Sequence, residues 1–281
     1  MKNIFTFRFL IYAAALFLLT QCSSENDSAF FAEGDFSSNL NPSDGQGGSW
    51  ARFTVSGNFL YTVTPQSLNV FDISSPDRPR LTTRQQIGQS IETIFARDTT
   101  LFIGSQDGML IYSIQRNGNP EFLSEYRHRD AVRCPGTQEV PFDVWDLNDP
   151  VVSDGQFAFL TLKAQAQCPD GNFATTVVSA NQLIVFDLQD LRRPIPIANY
   201  DMESPEGLGL WGNMLYVCDA GLKVYDRSNP AALEQVNFYN IPAYDVIPLA
   251  QSLLITADDG FHQYDIRGHD LEYVSSILVK R

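Results

Sequence analysis

Ser67-Leu68-Asn69-Val70-Phe71-Asp72-Ile73 reads as a strand that closes on an aspartate, and Ser75-Pro76-Asp77-Arg78-Pro79 behind it reads as a turn. Ahead of it, Gly57-Asn58-Phe59-Leu60-Tyr61-Thr62-Val63 is a turn feeding another strand. Aliphatic, β-branched and aromatic residues fill the runs, and Gly, Asn, Asp and Pro separate them, the pattern of extended chain folded back on itself. The phrase returns at 212–217 with 221–226, and at 155–160 with 181–188. Weaker copies lie at 101–103 with 108–114 and at 253–256 with 260–266. The aligned anchors Asp72, Ser113, Asp187, Asp226 and Asp265 stand 41, 74, 39 and 39 residues apart. A period near 40 with four short strands per unit is the pattern of β-propeller blades. Four spacings describe five copies, so an all-β propeller of five blades, each of four antiparallel strands, is predicted over 49–281.

In the first copy the four runs are 52–55, 60–63, 68–73 and 81–87, and no stretch sustains a 3.6-residue period. The last copy has its own fourth run at 271–279, so ring closure needs no strand borrowed from the N-terminus. The long spacing places an insertion near 129–180. The recurring aspartate has a local task, accepting backbone N–H bonds at the start of the turn that follows.

The phrases Leu68-Asn69-Val70-Phe71-Asp72, Leu183-Ile184-Val185-Phe186-Asp187 and Leu222-Lys223-Val224-Tyr225-Asp226 resemble the LVIVD repeat, as does the Ser-x-Pro-x-x-Pro turn. The resemblance covers nearly the whole domain. Copies two and five depart from it, with Ser113 for the aspartate and His262-Gln263 for an apolar pair. It implies company among surface lipoproteins of Bacteroidetes, most with no assigned activity.

The N-terminus points the same way. Lys2 and Arg8 precede a 12-residue apolar run at 9–20, too short to span a bilayer and suited to a secretory signal. Leu19-Thr20-Gln21-Cys22 resembles a bacterial lipobox, with Gln21 departing from the usual small residue. The expectation is a signal peptide over 1–21, a lipid on Cys22, and a flexible tether over 22–48 rich in Ser, Asn, Asp and Gly. Phe30, Phe31 and Phe36 interrupt the tether. Ser23 argues for sorting to an outer membrane, and Glu25 and Asp27 resemble surface-export signals; the domain then faces the periplasm or the exterior.

The chain carries a net charge of −14. Removing 1–21 takes the basic count from 19 to 17 against 33 acidic residues, a net −16. Such a surface repels nucleic-acid phosphates and anionic lipid, so the membrane partner is reached through the anchor alone and no nucleic acid is expected. Cys134 and Cys168 sit in turn-rich segments flanking the insertion of an exported chain, where a disulfide is expected. Cys218 lies inside an apolar strand and reads as a small buried hydrophobe.

Catalytic signatures are missing from the sequence: it has no GxSxG, HExxH or P-loop. Gly207-Leu208-Gly209-Leu210-Trp211-Gly212 matches GxGxxG, but a strand rather than a helix follows, which excludes a dinucleotide site. Superposing the copies gives a better clue. Ala51, Glu92, Asp149, Glu206 and Tyr244 share one position, and Arg52, Thr93, Pro150, Gly207 and Asp245 share the next. Both open the first strand of a unit, so with that strand innermost Arg52, Glu92, Asp149, Glu206, Tyr244 and Asp245 ring one mouth of the channel. Solvated channel edges are one reading of this ring; a polar ligand or Ca²⁺ on its oxygens is the other. Val140-Pro141-Phe142-Asp143-Val144-Trp145-Asp146 in the insertion offers either a partner or glycan surface, or a cap that buries Phe142 and Trp145. The function expected is a non-enzymatic recognition or scaffold module for protein or carbohydrate, with no cofactor. The alternative is a carbohydrate hydrolase or lyase, which needs two ring carboxylates about 5–9 Å apart.

Overall fold

The computed structural model describes residues 48–134, 141–148, 150–169 and 174–279. The signal, Cys22, the tether through Gly47, and Asp149 lie outside the described residues. Five antiparallel sheets follow one another along the chain and form a β-propeller. Blade one is β1 (Phe53–Ser56), β2 (Phe59–Val63), β3 (Ser67–Asp72) and β4 (Arg80–Gln86). Blade two is β5 (Ile91–Arg97), β6 (Thr100–Ser105), β7 (Gly108–Ile114) and β8 (Pro120–Arg127), followed by one helical turn, α1 (His128–Ala131). Blade three takes in β9 (Asp143–Asn148), β10 (Val151–Ser153), β11 (Phe157–Pro169), β12 (Thr175–Ser179), β13 (Gln182–Asp187) and β14 (Ile195–Asp201). Blade four is β15 (Pro205–Trp211), β16 (Met214–Asp219), β17 (Leu222–Asp226) and β18 (Glu234–Tyr239). Blade five is β19 (Ala243–Pro248), β20 (Ser252–Ala257), β21 (Gly260–Arg267) and β22 (Asp270–Leu278).

Every blade is continuous in sequence, and β22 supplies blade five with its own outer strand. The expected aspartate turns are present in three copies. Asp72, Asp187 and Asp226 each accept the backbone N–H two residues on, from Ser74, Gln189 and Ser228, at 2.7–2.9 Å. The insertion adds two strands. The 13-residue β11 outruns its blade, and its far end pairs with β9 on one side and β12 on the other. A disulfide joins Cys134 to Cys168 in this extension, with the Cα atoms 5.7 Å apart. The insertion does not bury both its aromatics. Trp145 is half-buried, but Phe142 is 61% exposed. Phe142 precedes the Asp143–Gln167 pair, the last of the β9–β11 ladder.

The core lies between blades rather than within them. Side chains alternate along each strand, so successive residues face opposite neighbours. Leu101 and Ile103 pack on Tyr61, Leu68 and Val70 of blade one, whereas Phe102 between them packs on Leu160, Ile184 and Phe186 of blade three. Phe159 and Val185 meet Leu215 and Val217 across the next interface, and Tyr216 and Val224 meet Val246 and Ile255 across the fourth. Cross-strand partners lie on one face, and this register identifies the two sheet faces left over. On blade one these carry Phe53 and Leu60 with Phe71; on blade five they carry Leu254 and Phe261 with Ile277. Among the described residues no apolar cluster joins the two. Phe53 is 58% exposed and Ile277 is 71% exposed. The inner strands pack in the order β1, β5, β10, β15, β19, with β19 and β1 far less closely packed than the other neighbours. Blades five and one thus face each other across an unsealed seam.

Candidate functional site

A short segment crosses the hub at the inner end of this seam. The Ser49 hydroxyl donates to Asp245 Oδ1 at 2.9 Å and accepts the Leu208 backbone N–H at 2.8 Å. The backbone N–H groups of Ser49 and Trp50 donate to Asp245 Oδ1 and Oδ2 at 3.3 and 3.4 Å. One residue on, the Ala51 carbonyl accepts the Ile94 N–H at 2.9 Å. Three residues therefore tie blades five, four and two together. Gly48 and Gly207 press on the Asp245 carboxylate so closely that a Cβ at either position would collide with it. Burial pushes the Asp245 carboxyl up to about 6, overcoming the hydrogen bonds from Ser49, Trp50 and Val246 that favour its ionised form.

In blades two, four and five the position that the repeats share in sequence proves to be a β-bulge. In β5 the register with β6 slips between Ile91 and Thr93, leaving Glu92 as the extra residue. In β15 it slips between Pro205 and Leu208, around Glu206, and in β19 between Ala243 and Asp245, around Tyr244. A bulge of this kind bends the strand and re-aims a side chain, here at the hub mouth. Glu206, Tyr244 and Asp245 are brought together around one cavity of about 530 Å³ in the seam. Trp50, Phe53 and Ile247 supply its apolar walls. Glu206 and Tyr244 also line a second cavity of about 230 Å³ beside it.

Other predicted ring members stand apart. Arg52 is exposed and does not line the cavity; its neighbour Ala51 does. Glu92 is half-buried on the bulge of blade two and is likewise outside the cavity lining. Among the described residues no group of three or more His, Cys, Asp or Glu side chains could hold a metal ion.

Two parts of the site escape a reading of the repeats. Lys163 Nζ pairs with Glu206 Oε1 at 2.5 Å, and the Thr161 hydroxyl donates to the Glu206 carbonyl at 2.5 Å. Both come from β11 of blade three, at positions with no repeat signature. The Ser49–Trp50 segment is the other, hidden in a Gly- and Ser-rich stretch; the aromatic Trp50 was its one signal. The buried Trp50 indole N–H has no acceptor among the described residues. Cys218 is fully buried on β16, and burial, with Asp245 and Glu206 adding to it, pushes its thiol well up, so it carries no thiolate chemistry.

The fold defines a class, a five-bladed β-propeller, and two stretches of the chain match the LVIVD repeat. The LVIVD repeat family model matches residues 47–85 and 206–241, which are blade one with its entering segment and most of blade four. No curated protein matches the chain in sequence. Among solved structures, a putative 6-phosphogluconolactonase from Bacteroides fragilis is 12% identical over 79% of this chain and 82% of its own, with a TM-score of 0.48. The periplasmic gluconolactonase of Pseudomonas aeruginosa is 14% identical over 81% of this chain and 68% of its own, with a TM-score of 0.49. Likenesses of this strength carry no argument about what the chain binds.

Proposed function

We propose that this chain is an exported, lipid-anchored recognition module that holds a carbohydrate in the seam cavity. The observation that carries the reading is the lining of that cavity, which combines the aromatic residues Trp50, Phe53 and Tyr244 with the acidic residues Glu206 and Asp245. A sugar ring has an apolar C–H face that packs on aromatics and an edge of hydroxyl donors. Ionised carboxylates are pure acceptors and match that edge. About 530 Å³ falls within the size range of small-molecule sites. Anchoring rests on the signal-like residues 9–20 and the Leu19-Thr20-Gln21-Cys22 phrase, and Ser23 supports an outer-membrane address.

One observation favours the rival reading as a sugar hydrolase. Asp245 is a desolvated carboxyl pushed up to about 6 that shares a cavity with a second carboxylate, the setting of a general acid. Against it, both Asp245 oxygens accept hydrogen bonds from the entering segment, and Glu206 Oε1 is held by Lys163. The test is a glycan array probed with the Cys22→Ser chain, followed by titration of each hit against Trp50→Ala. Binding of at least one glycan, weakened tenfold or more in the variant, is expected. An array without hits sinks the carbohydrate reading, and release of reducing ends from a bound glycan moves the assignment to the hydrolase. Incorporation of labelled palmitate tests the anchor, which is wrong if Cys22→Ser still takes up label.

A further inference from the structure

The hub has a second mouth, at the far ends of the inner strands. A cavity of about 320 Å³ opens there, with walls from blades two, three, four and five. Its charged side chains are Arg97, the last residue of β5, Arg227 just past β17, and Asp154 just past β10. The seam cavity is lined by two carboxylates and no basic side chain, with Lys163 paired to Glu206 outside that lining, so the two mouths differ in character. A cavity with two arginines and one aspartate is unexpected in a chain with a net charge of −14. At physiological salt, surface charges more than about 8 Å away are largely screened, so an anion at this mouth responds to the local guanidinium groups rather than to the net charge.

Arg227 is held in place before any ligand arrives. Nη1 is paired with Asp154, and Nη2 donates to the Gly212 carbonyl at 2.7 Å. The guanidinium carbon lies 5.8 Å from the centre of the Phe159 ring. Only 15% of the side chain is exposed, and Nε has no acceptor among the described residues. Asp154 and Gly212 use only two of the five N–H donors of a guanidinium. A fixed, planar fork with donors to spare is the group best suited to carboxylate and phosphate oxygens. Arg97 is differently placed: 43% exposed, and 3.7 Å from a mostly exposed Asp98, it is a partly solvated second cation at the rim. Phe95 and Pro248 give the cavity apolar wall between the charges.

We propose that this second cavity is a binding site for a small organic oxyanion, a carboxylate or phosphate on a short apolar body, with Arg227 as its fixed anchor and Arg97 closing over it. The site is independent of the carbohydrate reading of the seam. The experiment measures the Tm of the Cys22→Ser chain in inorganic phosphate, acetate and benzoate, against chloride at equal ionic strength. A saturable rise is expected for at least one of these anions. At ten times its Kd a ligand raises the ratio of folded to unfolded protein elevenfold, about 1.4 kcal/mol. Arg97→Gln leaves the unliganded Tm unchanged and weakens the apparent Kd tenfold or more, and Arg227→Lys weakens it further. Trp50→Ala leaves anion binding as it was, which separates this site from the seam cavity. If no anion raises Tm beyond chloride, or if Arg97→Gln binds as the parent does, the proposal is wrong.

Discussion

Asp245→Asn is the sharpest probe of the hub. The Asp245 carboxyl is pushed from its ordinary value of 3.8 up to about 6 by burial. At about 1.4 kcal/mol for each tenfold change in proton affinity, this is about 3 kcal/mol of pH-linked stability. The sign follows from which state holds the proton. Below pH 4 the carboxyl is protonated in folded and unfolded chain alike, and the stabilisation is present in full. Between pH 4 and 6 the unfolded chain releases its proton while the folded protein keeps it. As the pH rises through 6 the folded protein must ionise a group whose surroundings resist the charge, and the stabilisation is lost. Asparagine has no proton to lose. Urea unfolding of parent and variant at pH 4, 5, 6 and 7 is therefore expected to show the parent losing about 3 kcal/mol relative to Asp245→Asn across that range. Taking the difference removes the opposite contributions of Asp72 and Asp226, which hydrogen bonds from Ser74 and Ser228 hold below the usual range. Ser49→Ala deletes a bond that favours the ionised form, so it moves the loss to higher pH. A difference that stays flat from pH 4 to 7 would refute the assignment of Asp245 as a desolvated carboxyl.

Three further outcomes are expected. Gly207→Ala drives a methyl group into Asp245 and costs about 1–3 kcal/mol by overpacking, read as a lowered urea midpoint; an unchanged midpoint means the hub is looser than described. Asp219 is fully buried and accepts N–H bonds from Glu203 and Ser204 and the Lys223 ammonium at 2.6 Å. Asp219→Ala strands that charge and costs about 3–5 kcal/mol, whereas Asp72→Ala at an exposed turn costs about 1 kcal/mol or less, and equal losses in thermal unfolding would contradict the contrast. The bridge Cys134–Cys168 closes a separation of 34 residues. Its removal in Cys134→Ser with Cys168→Ser costs about 3–4 kcal/mol in the chain-entropy account, measured as Tm with and without reductant; a reductant-insensitive parent argues that the extension folds without it.

Much of this molecule is legible from periodicity. The strand phrase around Leu68–Asp72 recurs because the central strands of every blade pack against at least one neighbouring blade, and those of blades two, three and four against two, which favours apolar runs at a fixed spacing. The bulge position was legible too, since Glu92, Glu206 and Tyr244 align even though nothing local announces a bulge. What could not be read was long-range pairing. A serine in a Gly-rich stretch carries no mark that its hydroxyl meets a carboxylate 196 residues away. Nor do Leu60, Phe71, Leu254 and Phe261 differ in kind from residues that seal the other interfaces. Whether two apolar faces close is decided by the geometry of the whole ring.

The unsealed seam changes how force would travel through the protein. Four apolar interfaces join five blades into a linear stack, and the bonds of Ser49 and Trp50 hold its last blade to the hub. The chain enters the domain at that same point. Tension on the N-terminal side of Gly48 would load hydrogen bonds one after another, like a zipper, before it strained any apolar core. The weakest junction of the ring and the point where the chain enters it coincide, so a pull on the N-terminal side of Gly48 would open the hub while leaving the blades folded.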